Sequence, residues 1–235
     1  MKRFFIKQNL DKDFELQASE HHHLANVLRA QVGEQIIGCN GDQYDYYFEI
    51  AGITKQATRL RFIKREQNKS NPHVHAAVFL AAIKQDNLSL VTQKLNEMGV
   101  SELVLFNADR CNASPKSINL DKLNTIARQS CKQCGRSIPL IVQFTPEQPD
   151  VALASYDTVI LADESNTKIS LLSKITPVGR TALIIGPEGG FTPKERDKLY
   201  ALPDIQPASL GPRILRAETA AIAASAIIMS KLGEM

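Results

Sequence analysis

"TALIIGPEGGFTPKE", residues 181–195, decides the fold class. Thr181 to Ile185 are β-branched or aliphatic and end at Gly186, two further glycines follow at 189 and 190, and a helix signal begins at Thr192. Thr192 stands three residues before Glu195, the spacing of a capping box, and Pro193 falls at the first helical position, where its missing N–H costs nothing. The stretch therefore predicts a strand, a glycine turn and a helix. Amides at such a helix start favour an anion, and the bare Cα atoms of Gly186, Gly189 and Gly190 let a ligand reach the backbone. A tight turn that holds no ligand accounts for the same residues. Two phosphate loops are excluded by spacing. Gly190 is followed by Phe191 and not by the Lys-Ser/Thr of a P-loop, and Gly186 and Gly189 are too far apart for G-x-G-x-x-G.

Outward from this stretch, the chain after residue 73 alternates strands with helices. "HVHAAVFLAA" (73–82) is a near-continuous apolar strand. "DNLSLVTQKLNEMG" (86–99) spaces Leu88, Val91, Leu95 and Met98 as a helix, with Asp86 as its expected cap and Gly99 as its stop. "ELVLF" (102–106) is the next strand. A helix over 119–134 puts Leu120, Leu123, Ala127, Cys131 and Cys134 on one face, and "TVILA" (158–162) is a strand before the quoted one. A short strand ending in "PASL" (207–210) and an Ala-rich helix from 217 to 232 close the chain. Buried strands alternating with helices specify a parallel α/β sheet, whose ligands sit at loops leaving the strands' carboxyl ends.

"SLGPRILRAETAAIAAS" (209–225) supplies a second such loop, and the strands before the two glycine loops are expected to be adjacent. Arg213 and Arg216 lie at a helix N-terminus, where their charge opposes the dipole, so they call for an acid, a phosphate or a substrate as partner. A salt bridge to Glu218 or Glu188 would also answer that need. The helix is apolar on all sides, which implies burial or a subunit interface.

Residues 1 to about 70 differ, reading as short strands, with "QIIGCNGDQYDYYFEIAGI" (35–53) folding around Asn40-Gly41-Asp42. One helix is expected over 19–30, capped by Ser19 and striped by Leu24, Val27 and Leu28. The polar, turn-rich "REQNKSNPH" (65–73) sets the expected boundary between domains 1–72 and 73–235.

With 235 residues and 43% hydrophobic content, the chain can fill real cores. No signal peptide is legible, and the longest apolar run, 220–229, is too short to span a bilayer, so a cytosolic protein with no membrane partner is expected. Cys39, Cys111, Cys131 and Cys134 then read as reduced thiols. No metal is expected. The run His21-His22-His23 and the pair Cys131/Cys134 lack supporting ligand spacing.

Net charge is only +3, yet basic residues cluster over 55–69 and 110–136. Arg59, Arg61, Lys64 and Arg65 in the first cluster, and Arg128, Lys132 and Arg136 in the second, are the candidates for holding phosphates, with ordinary solvated faces as the alternative.

Taken together, "LIIGPEGGFTPKE" (183–195) and "SLGPRILRAETAAIAA" (209–224) resemble the signatures of the RsmE family of ribosomal RNA uridine-N3 methyltransferases. "HHLANVLRAQVGEQI" (22–36), "QKLNEMGVSEL" (93–103) and "CKQCGRSIP" (131–139) resemble that family too, in order along nearly the whole chain. The resemblance implies an N-terminal PUA-like β-barrel for RNA and a C-terminal SPOUT α/β domain, homodimeric and with a trefoil knot. It implies S-adenosyl-L-methionine as cofactor, contacted by Leu161, by Ile185, Gly186, Pro187, Gly189 and Gly190, by Leu210, Gly211, Ile214 and Leu215, and by Thr219. It implies methylation of 16S ribosomal RNA at N3 of uridine 1498 within the small ribosomal subunit, with Arg29 joining the basic residues on RNA. Ala217 and Lys132 stand where the family usually has Thr and Glu.

Uridine N3 is a poor nucleophile until its proton leaves, and a guanidinium would stabilise the anion. Arg216 is the first choice for that task and Arg213 the second, with Glu188 or Glu218 orienting the arginine or taking the proton. Alternatives are a related methyltransferase acting on another RNA position, and a non-catalytic ribosome-assembly module that binds RNA.

Overall fold

The computed structural model describes residues 1–6, 9–146, 151–164 and 170–235, with the side chains of residues 19, 151 and 152 left out. The chain forms two compact units, Met1–Asn71 with Cys131–Pro139, and Pro72–Ser130 with Leu140–Met235.

In the first unit, strands β1 (Lys2–Phe5), β2 (Phe14–Gln17), β3 (Gln35–Cys39), β4 (Tyr44–Ile53) and β5 (Ala57–Gln67) form a sheet in the order β1-β3-β4-β5-β2. β1 and β3 are parallel and the other pairs antiparallel. Phe48 holds the core together, with the rings of Phe14 and Phe62 edge-on to it at 5.0 and 5.8 Å. The β3–β4 turn forms as expected, with Gly41 at φ 92°. The helix expected over 19–30 is shorter. Helix α1 (Ala18–His22) passes into a π turn (His23–Val27), so Ser19 lies inside the helix and not at its cap. The expected stripe also fails, because Leu24 is buried while Val27 is 58% exposed.

Residues 131–139 complete this unit through side-chain bonds that the linear sequence does not announce. The Asn71 side-chain oxygen accepts from the amides of Ser137 and Ile138 at 3.0 and 3.1 Å, and Asn68 Nδ2 donates to the Gly135 carbonyl at 2.8 Å. Asp45, paired with Arg3 and accepting from Asn68 Nδ2 at 2.9 Å, anchors the same cluster.

The second unit is built on a six-stranded, wholly parallel sheet of β6 (Ala76–Ala81), β7 (Glu102–Phe106), β8 (Ile141–Thr145), β9 (Thr158–Ala162), β10 (Thr181–Ile185) and β11 (Ile205–Ala208), in the order β11-β9-β10-β6-β7-β8. Alternation sorts the side chains of β6 to two faces. Ala76, Val78 and Leu80 pack with helices α2 (Gln85–Glu97), α3 (Leu120–Cys134) and α5 (Ala217–Lys231). Ala77, Phe79 and Ala81 pack with α4 (Pro193–Tyr200).

Three sequence expectations change here. β8 is an additional edge strand whose mixed pattern, Ile-Val-Gln-Phe-Thr, gives no apolar run. Helix α2 already begins at Gln85, so Asp86 is not its cap but stands in the first turn, where it complements the dipole. The strands preceding the two glycine loops are not neighbours, because β9 lies between β10 and β11.

Candidate active site

Three loops leave the sheet side by side. Ile185 of β10 and Ala208 of β11 are both in register with Ala162 at the end of β9, so the segments after 162, 185 and 208 open at one level. Gly211 has φ 116° and Gly190 φ 66°, conformations that glycine supplies without strain.

A cleft lies among these loops. Its lining includes Ile185, Gly186, Pro187 and Glu188 from the first glycine loop, and Leu210, Gly211, Arg213, Ile214 and Leu215 from the second. Ala162, Asp163, Glu164, Ala217 and Ala220 complete it, and these five were not legible as site residues. Other expected positions fall outside the lining. Leu161 is buried in the sheet, Gly189 and Gly190 turn toward Arg110 and Glu164, and Thr219 and Arg216 are exposed at the start of α5. Arg216 is the N-cap residue of α5, with no side-chain cap bond. Glu218 is buried, and its Oε2 accepts no hydrogen bond among the described residues.

The glycines have distinct physical reasons. A Cβ on Gly186 would lie 2.9 Å from the Phe191 ring, which stacks on Phe106 with centroids 6.4 Å apart. A Cβ on Gly189 would lie 3.1 Å from Arg110 Cβ, and one on Gly190 would lie 2.8 Å from Glu164 Oε1. Around Gly211 there is nothing within 4 Å. The first loop is thus bare to accommodate the protein's own side chains, and the second is bare toward open space.

Asp163, 4% exposed, accepts from Tyr200 Oη at 2.9 Å and has Arg196 Nε 3.4 Å away. The capping box at the start of α4 forms as expected, with Thr192 N donating to Glu195 Oε2 at 2.8 Å and Glu195 N to Thr192 Oγ1 at 3.3 Å. Glu195 does more than cap. Its Oε1 also accepts from Asp109 N at 2.8 Å, tying the loop after β7 to α4. Two further bonds join that loop to the first glycine loop: Arg110 Nη1 donates to the Gly189 carbonyl at 3.2 Å, and Asn112 Nδ2 to Glu188 Oε2 at 2.7 Å.

The basic residues divide by environment. On β5, Arg61 pairs with Glu49 at 2.7 Å, Lys64 with Glu66 at 2.8 Å and Arg65 with Asp11 at 3.4 Å. The Glu49 and Glu66 bonds raise the pKa of Arg61 and Lys64. Arg59 is exposed and in no salt bridge among the described residues. Arg29 and Arg128 are exposed, Arg29 at φ 48°, and Lys132 is half-buried with its ammonium 5.5 Å from the Phe4 ring centre. Arg136 corrects the expected ridge. It is 2% exposed, so it does not face solvent.

His21 is likewise a core residue, with Nδ1 2.8 Å from Thr58 Oγ1. Cys131 is buried and Cys134 half-buried on α3. No group of three or more metal-ligating side chains occurs among the described residues, and no helix among them is long and apolar enough to cross a membrane.

The family model of an RNA methyltransferase domain matches residues 69–229, and that of an RNA methyltransferase PUA domain matches residues 16–63. The ribosomal RNA small subunit methyltransferase E of Bacillus subtilis is 30% identical over 248 residues, covering 97% of this chain and 96% of the relative. This chain belongs to the ribosomal RNA small subunit methyltransferase E family. Solved structures of the same architecture include a ribosomal RNA small subunit methyltransferase E from Neisseria gonorrhoeae bound to S-adenosyl methionine, with TM-score 0.85, 24% identity and coverage of 98% of this chain and 97% of that one. A Legionella pneumophila protein in complex with the cofactor SAM has TM-score 0.83 and 26% identity, with 97% and 96% coverage. The chain is therefore a PUA domain followed by an RNA methyltransferase domain built on a parallel α/β sheet.

Proposed function

We propose that this chain methylates N3 of a uridine in 16S ribosomal RNA, at the position numbered 1498, using S-adenosyl-L-methionine. The observation that carries the reading is the cleft at the ends of β9, β10 and β11, in a chain of this family. Its residues fit the cofactor. Ile185, Leu210, Leu215, Ala217 and Ala220 give apolar walls for an adenine ring, and the open side of Gly211 leaves backbone within reach of it. Asp163, Glu164 and Glu188 add carboxylates suited to a cationic ligand with hydroxyl and amino groups. S-adenosyl-L-methionine supplies a methyl group on a sulfonium, which an in-line nucleophile takes.

In this reading Ile185 to Gly190 and Leu210 to Leu215 hold the cofactor, with Leu161 and Thr219 bordering them. Arg216 stabilises the negative charge that develops when uracil N3 loses its proton, with Arg213 beside it in sequence. Glu218 or Glu188 receives that proton or orients Arg216. Residues 1–72 read the RNA and residues 73–235 carry the transfer, in a cytoplasmic enzyme acting on the small ribosomal subunit. Arg29, Arg59, Arg61, Lys64, Arg65, Arg128 and Lys132 hold RNA phosphates.

The reading includes a trefoil knot at the C-terminal end and a homodimer. Helix α5 supports the dimer, since Ile222 and Ile227 remain partly uncovered on a helix that is apolar all round. Mass mapping of methylated nucleosides in 16S ribosomal RNA, from cells with and without this protein, tests the function. Loss of one N3-methyluridine on deletion is the expected result, and an unchanged map overturns it.

A further inference from the structure

We infer that the loop after β7 is a clamp on the cofactor loop, and that Asn112 is a positioning residue for S-adenosyl-L-methionine binding through its bond to Glu188. The inference rests on the cofactor reading above and extends it to a segment that contributes nothing to the cleft lining.

Five observations converge on this loop. Asn112 Nδ2 donates to Glu188 Oε2 at 2.7 Å, and Arg110 Nη1 donates to the Gly189 carbonyl at 3.2 Å. Asp109 N donates to Glu195 Oε1, and Thr192 Oγ1 to Asp109 Oδ2 at 3.3 Å. A side chain on Gly189 would press on Arg110 Cβ, so the two loops are in close backbone apposition. The clamp therefore grips residues 188, 189, 192 and 195 in succession, while residues 185–188 form the cleft wall. Gly189 and Gly190 adjoin that wall and are conformationally permissive, so ordering the segment only on binding would cost affinity. Glu188, exposed to solvent, is held by a charge-assisted bond from a neutral amide.

Calorimetric titration of S-adenosyl-L-methionine into the full-length protein and its variants tests the clamp, with thermal melting alongside. Asn112→Ala should weaken binding about threefold to tenfold with an unchanged melting temperature. Asn112→Asp should weaken it further, since it sets a second carboxylate against Glu188, whereas a mere space-filling role predicts binding like that of wild type. Asn112→Ala combined with Glu188→Ala should bind no worse than the weaker single variant, because the pair shares one interaction. Wild-type affinity in Asn112→Ala, or losses that multiply in the double variant, would overturn the clamp. Absence of any heat from the wild-type protein would instead overturn the cofactor reading itself.

Discussion

Gly186 lies against Phe191 so closely that a Cβ on the glycine would sit 2.9 Å from the phenyl ring. Phe191 is buried and stacked on Phe106, so it has no free volume into which to retreat. The glycine loop is shaped from beneath by a core aromatic, and cofactor affinity and stability are linked at this point.

Gly186→Ala should therefore cost about 1–3 kcal/mol of stability by overpacking. Chemical denaturation measures it. Gly211→Ala offers the contrast, because φ is 116° but nothing lies within 4 Å. Its stability loss should be about 1–3 kcal/mol, from backbone strain and not from a clash. Gly211 lines the cleft, so a loss of cofactor affinity should accompany it.

Arg216→Ala should keep S-adenosyl-L-methionine binding and lose methylation. Arg216 is exposed and makes no cap bond, so its removal leaves α5 intact. Full activity in a methyl-transfer assay on small-subunit RNA would remove Arg216 from the chemistry.

Charge removal at Arg59 and Arg128 should lower RNA affinity and reduce the slope of log affinity against log salt by roughly 0.7–0.9 for each phosphate that is no longer neutralised. Arg136→Ala should behave differently. Its side chain is 2% exposed, so the first effect is a lower melting temperature, and filter binding of RNA at fixed folded fraction should be unchanged.

Alkaline pH should weaken the first unit. Burial pushes the Cys39 thiol up from 9.0 to about 12, with Arg3 opposing that rise. A thiol that ionises more readily unfolded than folded leaves stability intact below about pH 9 and erodes it as pH rises from there toward 12. Cys39→Ala should flatten that limb of the stability curve, read by urea melts across the range.

The legible parts of this protein were the local ones. Thr192, Pro193 and Glu195 specify a helix start within four residues, and β6 and β10 are buried throughout because both faces are covered. Glycine spacing located the cleft through Gly186 and Gly211, although the reason for Gly186 is Phe191 and not the ligand. What stayed hidden depends on pairings between distant positions. Asn112 and Glu188 are 76 residues apart, and nothing in "RCNAS" announces the bond. β8 was missed because an edge strand with one exposed side carries no continuous apolar run. Arg136 was read as a surface cation because residue type gives charge but not exposure.

Residues 131–139 matter to anyone wishing to handle the two units separately. The backbone crosses between them three times, after Asn71, Ser130 and Pro139. A fragment ending at residue 72 would lack Gly135, Ser137 and Ile138, leaving the Asn71 side-chain oxygen without the amides it accepts from and Asn68 Nδ2 with Asp45 alone. Such a fragment should be less stable than one that keeps 131–139. Splicing 131–139 back onto it through a short linker should restore those partners.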